Sequence, residues 1–142
     1  MKNTPEAAVR RYSRPDRDIV FALIQREGAE WADYWQGRGR ARYERALDTS
    51  ITYVVVAGGA IRGYARCRDD DGFGIYVCDL LVDQSARGHG YGRMLMDAVC
   101  RDHPQDTVYV MSDVDGYYEK LGYQREGSIF AVRDAGAAGS AD

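Results

Sequence analysis

Between residues 75 and 102 the chain leaves little choice of local structure. Ile75-Tyr76-Val77-Cys78-Asp79-Leu80-Leu81-Val82 is β-branched and aromatic, too short for a buried helix, and closed by the polar Asp83-Gln84-Ser85, which predicts a buried central strand. Arg87-Gly88-His89-Gly90-Tyr91-Gly92 follows almost without side-chain bulk. Met94, Leu95, Ala98 and Val99 then fall on one helical face until Pro104 ends the run, which predicts a helix. A strand, a glycine turn and a helix in this order make a phosphate cradle. Glycines permit positive φ and a close approach, and the first amides of the helix have no partners within it. Those amides, the helix dipole and Arg87 favour a pyrophosphate.

Composition narrows the classes. With 142 residues, 45% of them hydrophobic, the chain can bury one core, so a single domain is expected over 1–133. The Ala, Gly and Ser-rich residues 134–142 are expected to form a disordered tail. A formal net charge of −3 gives no global argument for nucleic acid or a membrane surface. No run of 18 apolar residues occurs and no apolar stretch follows Met1-Lys2-Asn3-Thr4-Pro5, so neither a membrane span nor a secretory leader is expected. Cys67, Cys78 and Cys100 are odd in number and lack CxxC spacing. Reduced thiols in the cytoplasm account for them. Two histidines and scattered cysteines offer no metal-ligand spacing, and no metal is expected.

Elsewhere the pattern predicts a strand from Val9 to Tyr12 and a helix capped by Ser13 or Arg14 with Pro15 in its first turn. Gly28 interrupts that helix, and Trp31, Tyr34 and Trp35 share a face of a second one before Gly37 and Gly39. Ile51–Ala57 and Ile61–Cys67 flank Gly58-Gly59-Ala60 as a hairpin, and Asp69–Gly72 is the next turn. Thr107–Met111 reads as a strand, Ser112 or Asp113 as a helix cap, Gly122 as the C′ residue of that helix, and Ser128–Arg133 as a last strand. An exposed edge there would let two copies pair as a homodimer. The fold class is mixed α and β, with mostly antiparallel hairpins around one strand-turn-helix unit.

The chain resembles the GNAT superfamily of acyl-CoA-dependent N-acyltransferases. Arg87, Gly90 and Gly92 meet its (Gln or Arg)-x-x-Gly-x-(Gly or Ala) pattern, and Gly116-Tyr117-Tyr118-Glu119-Lys120-Leu121-Gly122-Tyr123 resembles its aromatic-Tyr-Glu-Lys-Leu-Gly-aromatic block. The resemblance is specific from about residue 51 to 132. It implies flanking helices around a mostly antiparallel sheet in which the strands ending at Val82 and Met111 run parallel and splay apart. It further implies that acetyl-CoA is the cosubstrate. Its pantetheine arm would add to the backbone of Leu80, Leu81 and Val82, while Arg87, Gly88, His89, Gly90, Tyr91 and Gly92 hold the pyrophosphate. The activity implied is transfer of an acetyl group to a primary amine, on a small molecule or a protein, by direct attack in a ternary complex. A non-catalytic acyl-CoA-binding or sensing module is the alternative. A dinucleotide-binding oxidoreductase is disfavoured: Gly88-x-Gly90-x-Gly92 is not GxGxxG and comes late in a short chain.

Making an alkylammonium neutral at pH 7 costs about 4–5 kcal/mol from a pKa near 10.4, and a cysteine-like thiolate lies about 2 kcal/mol above its thiol. A proton donor for the sulfur therefore helps modestly. Tyr118 matches the tyrosine acid of the family. Asp79, inside the strand, is costly unless it faces a wet cleft or a partner; it could bind the ammonium, relay a proton, or simply be bonded to a neighbour. Asp113 and Asp115 are rivals for the base, or helix caps, and Ser112-Asp113-Val114-Asp115 departs from the asparagine and alanine common at that point in the family. His89 is expected to point to solvent and to contribute its backbone only. Cys78 reads as inert packing. Arg38, Arg40, Arg42 and Arg45 read as a solvated helix face, and Trp31, Tyr34 and Trp35 as core more than pocket.

Overall fold

A computed structural model describes residues 6–112 and 114–133. The chain forms two compact units, Met1–Val110 and Met111–Asp142. The first holds β1 (Ala7–Arg11), α1 (Arg17–Glu27), α2 (Ala32–Trp35), α3 (Gly37–Thr49), β2 (Ile51–Ala57), β3 (Ala60–Asp69), β4 (Ile75–Val82), α4 (Tyr91–Asp102) and β5 (Val108–Val110); the second holds α5 (Asp115–Lys120). The strands form one sheet in the order β1-β2-β3-β4-β5. Every pairing is antiparallel except β4 with β5, which is parallel.

Helices cover both faces of the sheet. Val20, Phe21, Leu23 and Ile24 of α1 pack with Tyr43 and Leu47 of α3 against Val54, Ile61, Tyr64 and Leu81. Tyr53, next to Val54 and so on the opposite face, donates to Asp102 of α4 at 2.7 Å. Leu95, Ala98 and Val99 of α4 are buried, as the helical spacing predicts; Met94 is only partly buried, and Met96, outside that predicted face, is buried.

Gly37 does not end a helix. It opens α3, and Gly39 in its first turn passes so close to α2 that an added Cβ would lie 1.7 Å from the Asp33 carbonyl oxygen. The short α2 and the longer α3 thus pack through a residue without a side chain.

A bulge in β4 decides which side chains reach the α1–α3 face. Arg66 pairs with Asp79 and its neighbour Cys67 with Val77, so Cys78 is left without a partner. Paired residues share a face and successive ones oppose. Val77 and Asp79, two residues apart, therefore point to opposite faces. The sequence hides this, because both faces are covered and alternate residues from Ile75 to Leu81 are buried on either side of the bulge.

The β4–β5 ladder spans only Ile75–Val77 against Val108–Val110. From Cys78 to Val82 that edge of β4 has no ladder partner among the described residues. This is the splay the resemblance implies.

The expected strand over Ser128–Arg133 is absent. The segment joins no ladder among the described residues, and Ile129, Phe130 and Val132 are exposed by 70%, 84% and 101%. Strand propensity yields a strand only where a neighbouring edge receives it. Residues 134–142, the expected tail, lie outside the described residues.

Candidate active site

The cradle is built where β4 ends. A turn of 3₁₀ helix from Gln84 to Ala86 leads to Gly88 at φ 87° and Gly90 at φ 80°. Both sit in the left-handed region, where a Cβ is unfavourable, yet no atom lies within 4 Å of a Cβ placed on either. Glycine is thus required by backbone conformation, and the space before it stays open. Gly90 caps α4, its carbonyl accepting from Met94 N at 3.0 Å, with no side chain bonded to the cap. The amides of Tyr91 and Gly92 open the helix beside this space, as an anion site requires.

Neighbouring acids are neutralised. Asp83 accepts from Ser85 Oγ and Arg26 Nε, which hold its carboxyl below the usual range. Glu27 takes Arg87 Nη2 at 2.6 Å, while Arg87 Nε donates to the Val82 carbonyl at 3.0 Å. His89 is exposed, as expected, but its ring also makes local contacts: Nδ1 donates to the Ala86 carbonyl at 3.1 Å, and the ring stacks on Tyr91 at 5.4 Å. A side chain so held stiffens the turn.

On β4 the expected contacts separate by edge. Asp83 N donates to the Arg62 carbonyl of β3, so alternation turns the main chain of Leu81 toward β3 and those of Leu80 and Val82 toward the open edge. The Leu81 carbonyl lies 2.6 Å from where a Gly63 Cβ would stand, which agrees. Of the three residues, Leu80 and Val82 offer groups to an added arm, and the Val82 carbonyl already accepts from Arg87.

Asp79 is 6% exposed and bonded throughout. Its Oδ2 accepts from Arg66 Nε at 2.6 Å and Tyr43 Oη at 2.6 Å, and its Oδ1 from Tyr34 Oη at a longer 3.3 Å. Tyr43 Oη lies 2.6 Å from Tyr64 Oη. Since the Tyr43 proton goes to Asp79, Tyr64 is the donor there. Burial, then the charge of Asp79, pushes Tyr34 up to about 12. Burial raises Tyr43 and Tyr64 as well, so all three phenols remain donors at neutral pH. Burial alone would lower the Arg66 guanidinium, but Asp79 more than reverses this.

In the second unit, Tyr118 lies in α5. Its ring meets Tyr117 edge-on at 5.1 Å and stacks on Tyr123 at 6.2 Å, and its carbonyl accepts from Tyr123 N. Gly122 takes φ 87° as the C′ residue. Asp115 Oδ1 accepts from Ser112 Oγ at 2.7 Å, which in turn accepts from Val114 N. Asp115 therefore braces the helix start, and Asp113 lies outside the described residues.

A family model described as an acetyltransferase (GNAT) domain matches residues 48–125, more than half of the chain. The chain belongs to the GNAT family. Solved structures share its fold. A protein from Xanthomonas campestris pv. campestris assigned to the GNAT family superposes with a TM-score of 0.72 at 23% identity, covering 97% of this chain and 100% of that one. A GNAT-family protein from Streptococcus pneumoniae gives 0.67 at 23% identity, over 92% and 99%. An aminoglycoside N-acetyltransferase crystallised with CoA gives 0.70 at 15% identity, over 95% and 99%.

Within this GNAT fold, β4 and the turn after it bring Asp79, Leu80, Val82, Arg87, Gly88, His89, Gly90, Tyr91 and Gly92 into one continuous run, and Tyr118 stands in the other unit. Sequence reading passed over Arg66, Tyr43 and Tyr64, and took Tyr34 as core more than pocket. One signal was available: Arg66 and Asp79 are charges inside neighbouring apolar strands, and such charges need each other. Burial pushes Cys67 up to about 12 and raises Cys78, so both thiols stay protonated and pack. Arg40 pairs with Glu44 and covers the Phe21 ring at 4.1 Å, while Arg38, Arg42 and Arg45 are exposed. Trp31, Tyr34 and Trp35 are half-buried against the core. Among the described residues no three His, Cys, Asp or Glu side chains gather as a metal site, and no helix is long and apolar enough to cross a membrane.

Proposed function

We propose that the protein transfers an acetyl group from acetyl-CoA to a primary amine by direct attack in a ternary complex. The observation that carries this is the left-handed glycine turn at Gly88 and Gly90, opening an α4 without a side-chain cap. The amides there bind the pyrophosphate, and the free edge of β4 at Leu80 and Val82 receives the pantetheine arm as an added strand. Residues 1–133 act as one functional domain, and three free cysteines fit a cytoplasmic setting.

Asp79 seats the acceptor ammonium. Its Oδ2 is filled by Arg66 and Tyr43, whereas Oδ1 carries only the longer Tyr34 bond, which leaves capacity for a donor. After loss of a proton to water, the amine nitrogen attacks the thioester carbonyl and forms the new C–N bond. Collapse breaks the C–S bond, the departing sulfur takes its proton from the Tyr118 hydroxyl, and the second proton of the nitrogen leaves to water, from which the Tyr118 phenolate is reprotonated. The acceptor is a small molecule or a protein amine; aminoglycosides are within reach of this reading, since structural neighbours act on them.

Thiol release from acetyl-CoA, followed across alkylamines, amino acids, aminoglycosides and peptide N-termini, tests it. Amine-dependent release with matching acetylated product is expected. Tight CoA binding with no release on any amine would mark a sensing module instead.

A further inference from the structure

One aromatic pair in the first unit stands on the same face as Asp79 and has no part in the reaction above. Tyr76 of β4 pairs with Tyr109 of β5, and their rings stack at 5.1 Å and 19°. Both are half-buried. Register places them. Tyr76 pairs with Arg68 and Asp79 with Arg66, and Arg66 and Arg68 are alternate residues of β3, so all four side chains stand on the α1–α3 face. Two residues of β3 separate the two pairs, roughly 7 Å along the strand. On this face α1 and α3 pack over Tyr64 and Leu81, and Tyr34 and Tyr43 close on Asp79. Cys78, the bulged residue, lies between Asp79 and Tyr76 in the chain. Its thiol feels Arg66, Asp79 and Arg68, so it floors the gap on this face as a small neutral group.

Gly74 shows which way the rings are turned. A Cβ there would stand 2.9 Å from Tyr109 Cε2 and 3.3 Å from Tyr76 Cε2, so one edge of each ring faces the start of β4. The opposite edges face along the strand toward Asp79. Ring edges carry the positive side of the quadrupole, so they favour the face of another ring and disfavour a cation. Charge on this stretch agrees. Asp79 is balanced by Arg66, and Arg68 adds a cation at the exposed margin. One ammonium finds capacity at Asp79 Oδ1, whereas a second positive group would meet like charge and ring hydrogens.

We propose that Tyr76 and Tyr109 bind the far end of the acceptor and select an arylalkylamine, its ammonium on Asp79 Oδ1 and the face of its ring across the two tyrosine edges. The inference rests on the acyl-transfer reading of Asp79 given above and narrows its acceptor to a monoamine with a flat, uncharged end on a short alkyl linker. The stack sets the specificity and takes no part in bond making.

Titration of the full chain with phenethylamine, cyclohexylethylamine, n-butylamine and spermidine, at saturating CoA so that no acetyl group is present, tests this without relying on turnover. Phenethylamine is expected to bind about tenfold more tightly than n-butylamine and severalfold more tightly than cyclohexylethylamine, which has the bulk of the ring but no π face. Tyr109→Leu keeps apolar bulk without a ring edge and should reduce the preference for phenethylamine at least threefold, whereas Tyr109→Phe should keep it. Tyr76→Leu repeats the test on the other ring, and the CoA-induced rise in Tm checks that each variant is folded. Phenethylamine bound no better than n-butylamine, tighter binding of spermidine, or an unchanged preference in the folded leucine variants overturns the proposal. Should no amine be acetylated, the functional reading fails and the titration still decides the platform. Acetylation of all four amines with no preference for phenethylamine leaves that reading standing and removes the platform.

Discussion

Asp79 shows how much one buried carboxylate can organise. It holds Arg66 from β3, Tyr43 from α3 and Tyr34 from α2 at a single point. Removing it leaves the Arg66 Nε and the Tyr43 hydroxyl proton without their acceptor, while Arg66 keeps Ser50 and Tyr43 keeps Tyr64. Asp79→Ala should therefore cost about 3–5 kcal/mol of stability, read as a lower midpoint in urea. Asp79→Leu combined with Arg66→Met should recover most of that loss, because packing replaces the ion pair. If the double variant is as unstable as the single one, the ion pair is not what the cost reflects. Tyr118 is tested by chemistry, not by folding. Tyr118→Phe keeps the ring and deletes the hydroxyl, so turnover should fall roughly thirtyfold, the factor that about 2 kcal/mol of thiolate protonation is worth. CoA affinity should not change. Unaltered turnover would remove Tyr118 as the acid.

At the level of elements, α1 begins on a charge that pH can remove. Asp16 accepts both guanidinium nitrogens of Arg10, at 2.8 and 2.9 Å, and its Oδ2 also takes the Ser13 amide at 2.9 Å, a capping box that fixes the approach to the helix. Arg10 first, and the Ser13 amide after it, lower the Asp16 carboxyl below its ordinary value. A carboxylate lowered in the folded state stabilises above the unfolded value, near about 3.9, and that share is lost as pH falls through the lowered folded value. Asp16→Asn should then flatten the decline in urea midpoint between neutral pH and acid, while lowering the midpoint at pH 7. An unchanged acid slope would show that other carboxylates carry it. Such elements were legible in sequence to differing degrees. Ser13, Pro15 and Gly28 announced α1 because capping is a local matter. Ile75–Val82 was legible to its ends, since polar residues and turns bound it. The bulge at Cys78 was not, for burial on both faces erases the change of side. Ser128–Arg133 has the composition of a strand, but pairing depends on a distant edge that no local pattern records.

For the molecule as a whole, the same separation holds between cradle and chemistry. The glycine turn was legible because positive φ selects glycine directly, and Gly88 and Gly90 adopt it. The aromatic network around Asp79 was not, because its members come from α2, α3, β3 and β4 and meet only in the folded chain. A ligand that binds only the folded state adds about 2.7 kcal/mol at a hundredfold excess over its Kd. Acetyl-CoA should therefore raise the Tm by roughly 5–10 °C for a chain of this size. Gly90→Val places a β-branched side chain at φ 80°, a cost of about 1–2 kcal/mol or more, and fills the space that the helix amides face. Its own Tm should drop only modestly, with the ligand-induced rise abolished. Tyr118→Phe should keep the full rise while losing turnover. This pattern, one variant blind to the ligand and the other bound but slow, follows only if α4 grips the diphosphate and the phenol serves the sulfur. A full thermal shift in Gly90→Val would place cofactor binding elsewhere on the chain.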